Sequence, residues 1–516
     1  ASNNTAVGYY ALLGNTTGTG NVSVGIQALQ ANTTASYNTA VGRLALNANT
    51  TGADNTALGN HAMGVNTTGS HNVAVGFAAL DANTTASYNT AVGRDALTAN
   101  TTGANNTATG YKALFANTTG AANVAVGYRS LAANTTASSN TAIGTDSLIS
   151  NTTGTSNTAI GRDTLNQQTT ASYNTAVGHQ ALNLNTSGAN NTATGYKALY
   201  ANTTGTSNTA VGRLSLDANT TGDENVAIGN QSLTANTTAH DNTAIGANSL
   251  TANTTGASNV AIGQQSLNSN TTASNNTAVG KSALSVNTTG ANNVAIGSLT
   301  LDAATTATGN TAVGQGAMSG TTTGASNVAV GLSALYSNTT AANNTALGYS
   351  AMFANTTGHT NTAVGPNALN SNTTGSTNIA IGSASLHQNT TGTLNVAIGV
   401  SSLYANTTAS SNTAVGFNTL NANSTGANNV AVGMDALKVN TTANSNTAVG
   451  RSALQANTTG AENTSVGLSA LAAVTTGNEN TAIGYASGDN ITTGDSNIII
   501  GSGVDAQSAT ADNQLN

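Results

Sequence analysis

The chain has 516 residues, of which only 10 are Lys or Arg and 17 are Asp or Glu, and its net charge is −7. Charged residues make up 5% of the sequence, against roughly 25% in an ordinary globular domain, which argues against a conventional multidomain enzyme. The absence of Cys excludes disulfides and thiolate metal sites. The sparse negative charge argues against a nucleic-acid partner, and no apolar run is long enough to span a bilayer.

One repeat accounts for nearly the whole sequence. Gly recurs every 17 residues, 30 times from Gly8 to Gly501, without an insertion or a deletion, and an Asn lies four residues before each of these glycines. With that Asn counted as position 1, the unit reads N-[T/V]-A-[V/I]-G-x-x-[A/S]-L-x-A-N-T-T-[G/A]-x-x. A disordered polar tract does not keep such a register, so the repeat predicts an ordered fold.

Positions 1 to 5 predict a β-strand, because Thr or Val and Val or Ile alternate there with Ala. The Gly at position 5 and the N-T-T-[G/A] cluster are typical of corners and disfavour a helix. We therefore expect an all-β parallel solenoid or β-roll, in which each coil has a short strand, a bend, a second short strand and a turn. About 30 coils should stack about 4.8 Å apart over residues 1–501. Residues 502–516 are expected to form an exit segment that leads to a further domain.

Stacking places identical residues above one another, so the invariant Asn should form a ladder of hydrogen-bonded amides between coils. The aliphatic rows at position 4, which includes Val41, and position 9, which includes Leu46, are both expected to face inward. Such a core is small, and a homotrimer in which one apolar row meets neighbouring chains is predicted. The candidate structural ladder residues occupy positions 1 and 5: Asn38, Gly42, Asn55, Gly59, Asn72 and Gly76.

The variable positions carry most of the charged and aromatic residues and are expected to face solvent. Exposed aromatic and Arg side chains are frequent anchors of interfaces, so one group of them forms a candidate surface-binding site. The alternative is that these residues only keep the surface soluble. The candidate surface-binding residues are Tyr111, Lys112, Phe115, Tyr128 and Arg129.

The sequence indicates neither catalysis nor a metal or cofactor site. The six His occupy no shared repeat position on adjacent units, whereas a metal site needs several converging ligands. Asp146 and Asp163 are 17 residues apart and should stack, but Arg129 precedes Asp146 by the same spacing. That order favours an exposed charge ladder, in which each pair contributes little stability, over a cation site. We therefore expect a protein that is not an enzyme.

The unit resembles the head repeats of trimeric autotransporter adhesins, which carry the signature N-S-[V/I]-A-[I/V]-G. The segments 72–76 (N-V-A-V-G) and 225–229 (N-V-A-I-G) match that signature closely. The resemblance implies parallel β-rolls with three chains packed side by side, although the adhesin unit is shorter than the 17-residue unit found here. The 17-residue form and the ending N-I-I-I-G at 497–501 are similar to repeat regions of bacterial and phage tail-fibre-domain proteins.

These observations together predict a structural fibre or adhesin head, a rigid extracellular spacer on a cell surface or a virion tail fibre. Its expected partners are other copies of itself, as a homotrimer or filament, and a host-cell or surface receptor. The alternative is an ice- or surface-binding solenoid, because the repeated Thr residues form regular arrays. Thr50 and Thr51 are adjacent, however, and in a strand they would point to opposite faces, leaving one outward Thr per coil.

Overall fold

The chain folds as a parallel β-solenoid with a 17-residue period, and it contains no helix. The computed structural model describes residues 1–516 and contains two compact units, residues 1–258 and 259–516. Each repeat contributes one three-residue strand, and within each unit the strands of adjacent repeats pair in parallel. The predicted fold class is therefore confirmed.

The first unit has fifteen strands, one for each repeat. They are β1 (Thr5–Val7), β2 (Val22–Val24), β3 (Thr39–Val41), β4 (Thr56–Leu58), β5 (Val73–Val75), β6 (Thr90–Val92), β7 (Thr107–Thr109), β8 (Val124–Val126), β9 (Thr141–Ile143), β10 (Thr158–Ile160), β11 (Thr175–Val177), β12 (Thr192–Thr194), β13 (Thr209–Val211), β14 (Val226–Ile228) and β15 (Thr243–Ile245).

The second unit repeats this arrangement with fifteen further strands. They are β16 (Val260–Ile262), β17 (Thr277–Val279), β18 (Val294–Ile296), β19 (Thr311–Val313), β20 (Val328–Val330), β21 (Thr345–Leu347), β22 (Thr362–Val364), β23 (Ile379–Ile381), β24 (Val396–Ile398), β25 (Thr413–Val415), β26 (Val430–Val432), β27 (Thr447–Val449), β28 (Thr464–Val466), β29 (Thr481–Ile483) and β30 (Ile498–Ile500).

Outside the strand, each coil is built from turns. Inter-coil backbone hydrogen bonds nevertheless continue there: the Leu46 amide donates to the Ala62 carbonyl of the next coil over 3.0 Å. The prediction of a second strand per coil is wrong. Residues at positions 7, 9 and 17 adopt left-handed backbone conformations, as in Leu44 (φ 59°), Leu46 (φ 50°) and Asp54 (φ 56°). Left-handed residues cannot belong to an extended run, so the chain turns there.

The core of each coil is narrow and consists of small side chains around one large one. Ala40 at position 3, Ala45 at position 8 and Leu46 at position 9 are fully buried. The row at position 9 therefore faces inward, as predicted. The same prediction for position 4 is wrong, since Leu58 is 47% exposed and Val41 is partly exposed. Side chains alternate along a strand, so the buried Ala at position 3 places positions 2 and 4 outside.

The Gly at position 5 is required by the distance between coils. Gly42 has φ 135°, a conformation that strains residues with a Cβ atom. A Cβ atom on Gly42 would also lie only 2.6 Å from the carbonyl carbon of Gly59 in the next coil. The invariance of this Gly follows from both effects, because the facing atoms are backbone atoms that hold the register.

The residues after Gly501 continue the second unit. Ile498 forms a parallel bridge with Leu515, and the Ile498 amide donates to the Gln514 carbonyl over 2.8 Å. The Gln514 amide in turn donates to the side-chain oxygen of Asn497. Residues 502–516 therefore lie against the last strand as part of a further coil. The division of the chain at residue 501 stays a prediction.

Position 15 is Gly in most coils and Ala in 11 of the 30, and no two adjacent coils both carry Ala. The side chain at this position points inward: Ala35 and Ala86 are each 4% exposed. A Cβ atom built on a Gly at this position closely approaches the carbonyl oxygen of position 15 in the next coil. An Ala coil must therefore displace that carbonyl, and a neighbouring Gly coil, which has no Cβ atom to displace further, absorbs the shift.

This steric rule predicts different effects for two identical substitutions. Gly154 lies between two Ala coils (Ala137 and Ala171), whereas Gly205 has Gly in both adjacent coils. Gly154→Ala should lower the free energy of unfolding of the first unit by about 1–3 kcal/mol through overpacking. Gly205→Ala should cost less than Gly154→Ala, because both adjacent coils carry Gly and can absorb the shift. Urea unfolding followed by circular dichroism measures both, and equal losses would contradict the rule.

Candidate functional site

The invariant Asn row lies inside the solenoid and connects each coil to the next. Asn38, Asn55 and Asn72 are fully buried. The backbone amide of Asn55 donates to the side-chain oxygen of Asn38 over 3.0 Å, and Asn72 does the same to Asn55. The side-chain NH₂ of Asn38 donates to the carbonyl of Gly52, at position 15 of the same coil, over 2.9 Å. These bonds satisfy groups that would otherwise be buried without partners.

A second Asn row, at position 12, is one that the sequence analysis missed. Asn32, Asn49 and Asn66 are fully buried, and each side-chain NH₂ donates to the side-chain oxygen of the previous coil, 2.8 Å away for Asn66 and Asn49. Asn49 also donates to the Gly52 carbonyl, which therefore accepts from both Asn rows. The near-constant Asn of N-T-T-[G/A] was the available signal, but the same motif is typical of a turn.

The second ladder is interrupted where another residue replaces Asn. Gln168 maintains it in part, because its side-chain oxygen accepts from Asn185 over 3.1 Å. Ala304 and Val474 cannot donate, and the buried side-chain oxygens of the preceding residues, Asn287 and Asn457, have no hydrogen-bond partner. The unpaired oxygens show that each Asn depends on the coil that follows it.

The Thr hydroxyls at position 13 also form hydrogen bonds between coils. The Thr50 hydroxyl donates to the carbonyl of Thr67 in the next coil over 3.1 Å, whereas Thr51, at position 14, is exposed. One exposed Thr per coil therefore remains for contacts with solvent or a surface.

The candidate surface-binding residues lie together on the first unit. The rings of Tyr111 and Tyr128, one coil apart, stack with centroids 5.4 Å apart. The Lys112 Nζ lies 5.5 Å from the centre of the Tyr111 ring and 5.0 Å from that of Phe115. The Arg129 Cζ lies 5.6 Å from the Tyr128 ring. Because positions 6 and 7 repeat in every coil, these aromatic rings and cations lie next to one another along one side of the unit.

The sequence analysis did not include two neighbours of this group. The Arg94 Cζ lies 5.7 Å from the Phe77 ring and 6.0 Å from the Tyr111 ring, which extends the surface by two coils. Cation–π contacts at exposed sites contribute about 0.5–1 kcal/mol each, so they order the side chains on the surface. The signal was available, because Phe77 and Arg94 occupy position 6, as Tyr111 does.

Carboxylates neutralise most of the cations in this region. Arg129 pairs with Asp146 over 3.0 Å, and Arg162 pairs with Asp163 over 3.2 Å. Asp146 and Asp163 are thus members of the charge ladder that the spacing favoured. No group of three or more His, Asp or Glu side chains is arranged to hold a metal ion.

A shallow cavity of about 320 Å³ opens on the first unit where Gly64 provides no side chain at position 10. Leu44, His61 and Asp81 are among the residues that line it. Burial raises the pKa of the Asp81 carboxyl, although His61 and a hydrogen bond from the Gly64 backbone partly oppose this shift. One His and one half-buried carboxyl do not form a nucleophile–base pair, so the cavity offers no catalytic arrangement.

Comparison with known proteins gave no match: no protein-family model fits the chain, and no curated protein is similar to it in sequence. The structure also has no helix of the length and hydrophobicity needed to cross a membrane.

Proposed function

We propose that the protein is an extracellular structural fibre or adhesin head, a spacer that presents binding side chains at intervals set by the coils. The observation that carries this proposal is that the structural residues and the exposed aromatic and charged residues of a coil occupy separate repeat positions. Positions 1, 3, 5, 8, 9, 12, 13 and 15 serve the core or the inter-coil hydrogen bonds, as in Asn38, Leu46 and Thr50. Aromatic and charged groups are concentrated at the remaining positions. The resemblance to adhesin heads and tail-fibre proteins supports a location on a cell surface or virion.

Self-association is part of this proposal. Positions 2 and 4 form an outer sheet face on which aliphatic side chains recur coil after coil, including Ile143, Ile160 and Ile228 at 37–38% exposure. An aliphatic stripe of this kind, interrupted at position 4 only by Thr109 and Thr194, exceeds the few hundred Å² that soluble monomers tolerate. Closed three-fold symmetry would cover the outer sheet face equally on every chain, so a homotrimer is proposed.

The homotrimer should have three times the chain mass of 50.2 kDa, or about 151 kDa, by light scattering in native buffer. Ile228→Lys places a charge on the outer sheet face and should shift the protein towards monomer, whereas Asn230→Lys, on the exposed turn two residues later, should not. A monomeric mass for the unmodified chain, with the circular dichroism of a β-protein retained, would overturn the trimer.

Attachment is proposed to depend on the aromatic and cationic group around Tyr111. Beads coated with the chain should be retained under flow on cultured epithelial cells or on glass. Replacing the five candidate surface-binding residues with Ala should reduce retention about tenfold or more, since one lost anchor costs about 2 kcal/mol. The variant should remain folded by circular dichroism, because these side chains lie outside the core and the loss of their surface contacts lowers stability only modestly.

The matched control removes three exposed residues of the same types from the second unit, as Lys281→Ala, Tyr349→Ala and Arg451→Ala. This variant should be retained as well as the unmodified chain. Absence of retention for the unmodified chain on every surface would contradict a role in attachment. If the five-residue variant were retained as well as the control variant and the unmodified chain, the residues around Tyr111 would only keep the surface soluble.

An ice-binding role is the alternative. Because the Thr hydroxyl at position 13 is used between coils, as in Thr50, only position 14 presents a free Thr row, which favours the fibre over the ice-binding solenoid. An ice-binding solenoid should produce thermal hysteresis in solution, whereas the proposed fibre should produce none.

A further inference from the structure

The sequence around Tyr111 occurs twice in the first unit. Segments 107–114 and 192–199 both read T-A-T-G-Y-K-A-L, and an aromatic residue follows each, Phe115 in one and Tyr200 in the other. These are also the only two coils in which position 4 is Thr rather than an aliphatic residue. We call residues 111–115 the first cassette and residues 196–200 the second cassette.

The two cassettes share one geometry. In the first cassette the Lys112 Nζ lies 5.5 Å and 5.0 Å from the centres of the Tyr111 and Phe115 rings. In the second cassette the Lys197 Nζ lies 5.7 Å and 4.9 Å from the Tyr196 and Tyr200 rings. Each cassette therefore holds one ammonium group between two aromatic rings, and the pair of rings fixes where that charge is presented.

The ammonium groups of both cassettes are free of ion pairs with carboxylates, as are Arg43 and Arg213, whereas the other three arginines of the first unit are paired, at 3.5, 3.0 and 3.2 Å. The cassettes differ at position 10 of the following coil, which is Asp217 after the second cassette and Ala132 after the first. Burial raises the pKa of the Asp217 carboxyl, and the charge of Lys197 partly opposes this rise. The charge of Lys112 is therefore the freer of the two.

The cassettes lie on the same side of the first unit, since they occupy the same repeat positions. Five coils separate them, which corresponds to about 24 Å along the axis. One side of the unit thus presents two points, each with exposed ring surface and one available positive charge. A long ligand that follows the axis can contact both points at once.

We propose that the two cassettes together bind a linear polysaccharide that carries carboxylate groups, which makes such a polymer the surface recognised by the proposed attachment function. The C–H groups of a sugar ring pack against the negative face of an aromatic ring, and a sugar carboxylate pairs with the adjacent ammonium. A flexible single-stranded nucleic acid also stacks on aromatic rings, but it carries a phosphate at every nucleotide and is bound mainly by clusters of cations. Two free ammonium groups on a chain of net charge −7 fit the sparser charge of a polysaccharide better.

The test measures binding of the full chain to immobilised alginate, a polyuronate, by biolayer interferometry. Because two linked contacts strengthen binding by about 10²-fold or more, Lys112→Ala with Lys197→Ala should weaken binding about 100-fold. Lys112→Ala alone should weaken it more than Lys197→Ala alone. The control is Lys281→Ala, which removes an equal charge at a site without aromatic contacts, and it should change the affinity less than about twofold. Circular dichroism checks that each variant folds.

Two competitors test the class of ligand. Dextran, a neutral polysaccharide, should not displace alginate, and an oligothymidylate should compete only weakly. Displacement by dextran would overturn the need for carboxylates, and strong competition by oligothymidylate that disappears in the double Lys variant would assign the cassettes to single-stranded nucleic acid. No binding to alginate, with bead retention intact, would overturn this inference and leave the attachment function standing. If the unmodified chain neither bound alginate nor supported bead retention, the attachment function would be overturned as well.

Discussion

The structure depends on the constant 17-residue register between parallel coils. With coils about 4.8 Å apart, each side chain lies against the residue at the same repeat position in the next coil. Only residues that tolerate such stacking can occupy the core positions. Asn does so at position 12 because its side-chain amide both donates and accepts: Asn49 donates to Asn32 in the coil before it and accepts from Asn66 in the coil after it. Gly does so at position 5 because its neighbours are backbone atoms, as at Gly42.

The same constraint explains why so small a core is enough. Each coil contributes one large apolar side chain, such as Leu46, in a left-handed conformation. That conformation costs about 1–2 kcal/mol, and burying a Leu side chain returns about 1.5–3 kcal/mol. The gain from burying this Leu is thus nearly offset by the strain of its own backbone, which leaves the inter-coil hydrogen bonds to hold the stack. A solenoid of this type is stable only as an array, in which each coil is satisfied by its neighbours.

The repeat in the sequence was sufficient to predict the parallel solenoid, its period and the burial of Leu46, because exact periodicity translates directly into stacking. It was not sufficient to place Val41. Position 4 is aliphatic almost throughout, and hydropathy alone favours its burial, whereas the strand pleat buries the smaller Ala40 instead. The left-handed turns at Leu44 and Leu46 could not be predicted either, since Leu has no intrinsic preference for positive φ. The two matching segments 107–114 and 192–199 are visible in the sequence, but the shared arrangement of rings and ammonium group could be recognised only in the structure.

The most direct test of the role of the Asn ladders is to repair one of their breaks. Ala304 leaves the buried side-chain oxygen of Asn287 without a donor, and Ala304→Asn would supply one in the arrangement found in most other coils. The account predicts that this change raises the free energy of unfolding of the second unit by about 1 kcal/mol. The matched Ala303→Asn, one residue earlier at a partly exposed position, should leave it unchanged. Urea unfolding of both variants provides the measurement, and an Ala304→Asn chain no more stable than the unmodified one would contradict the account.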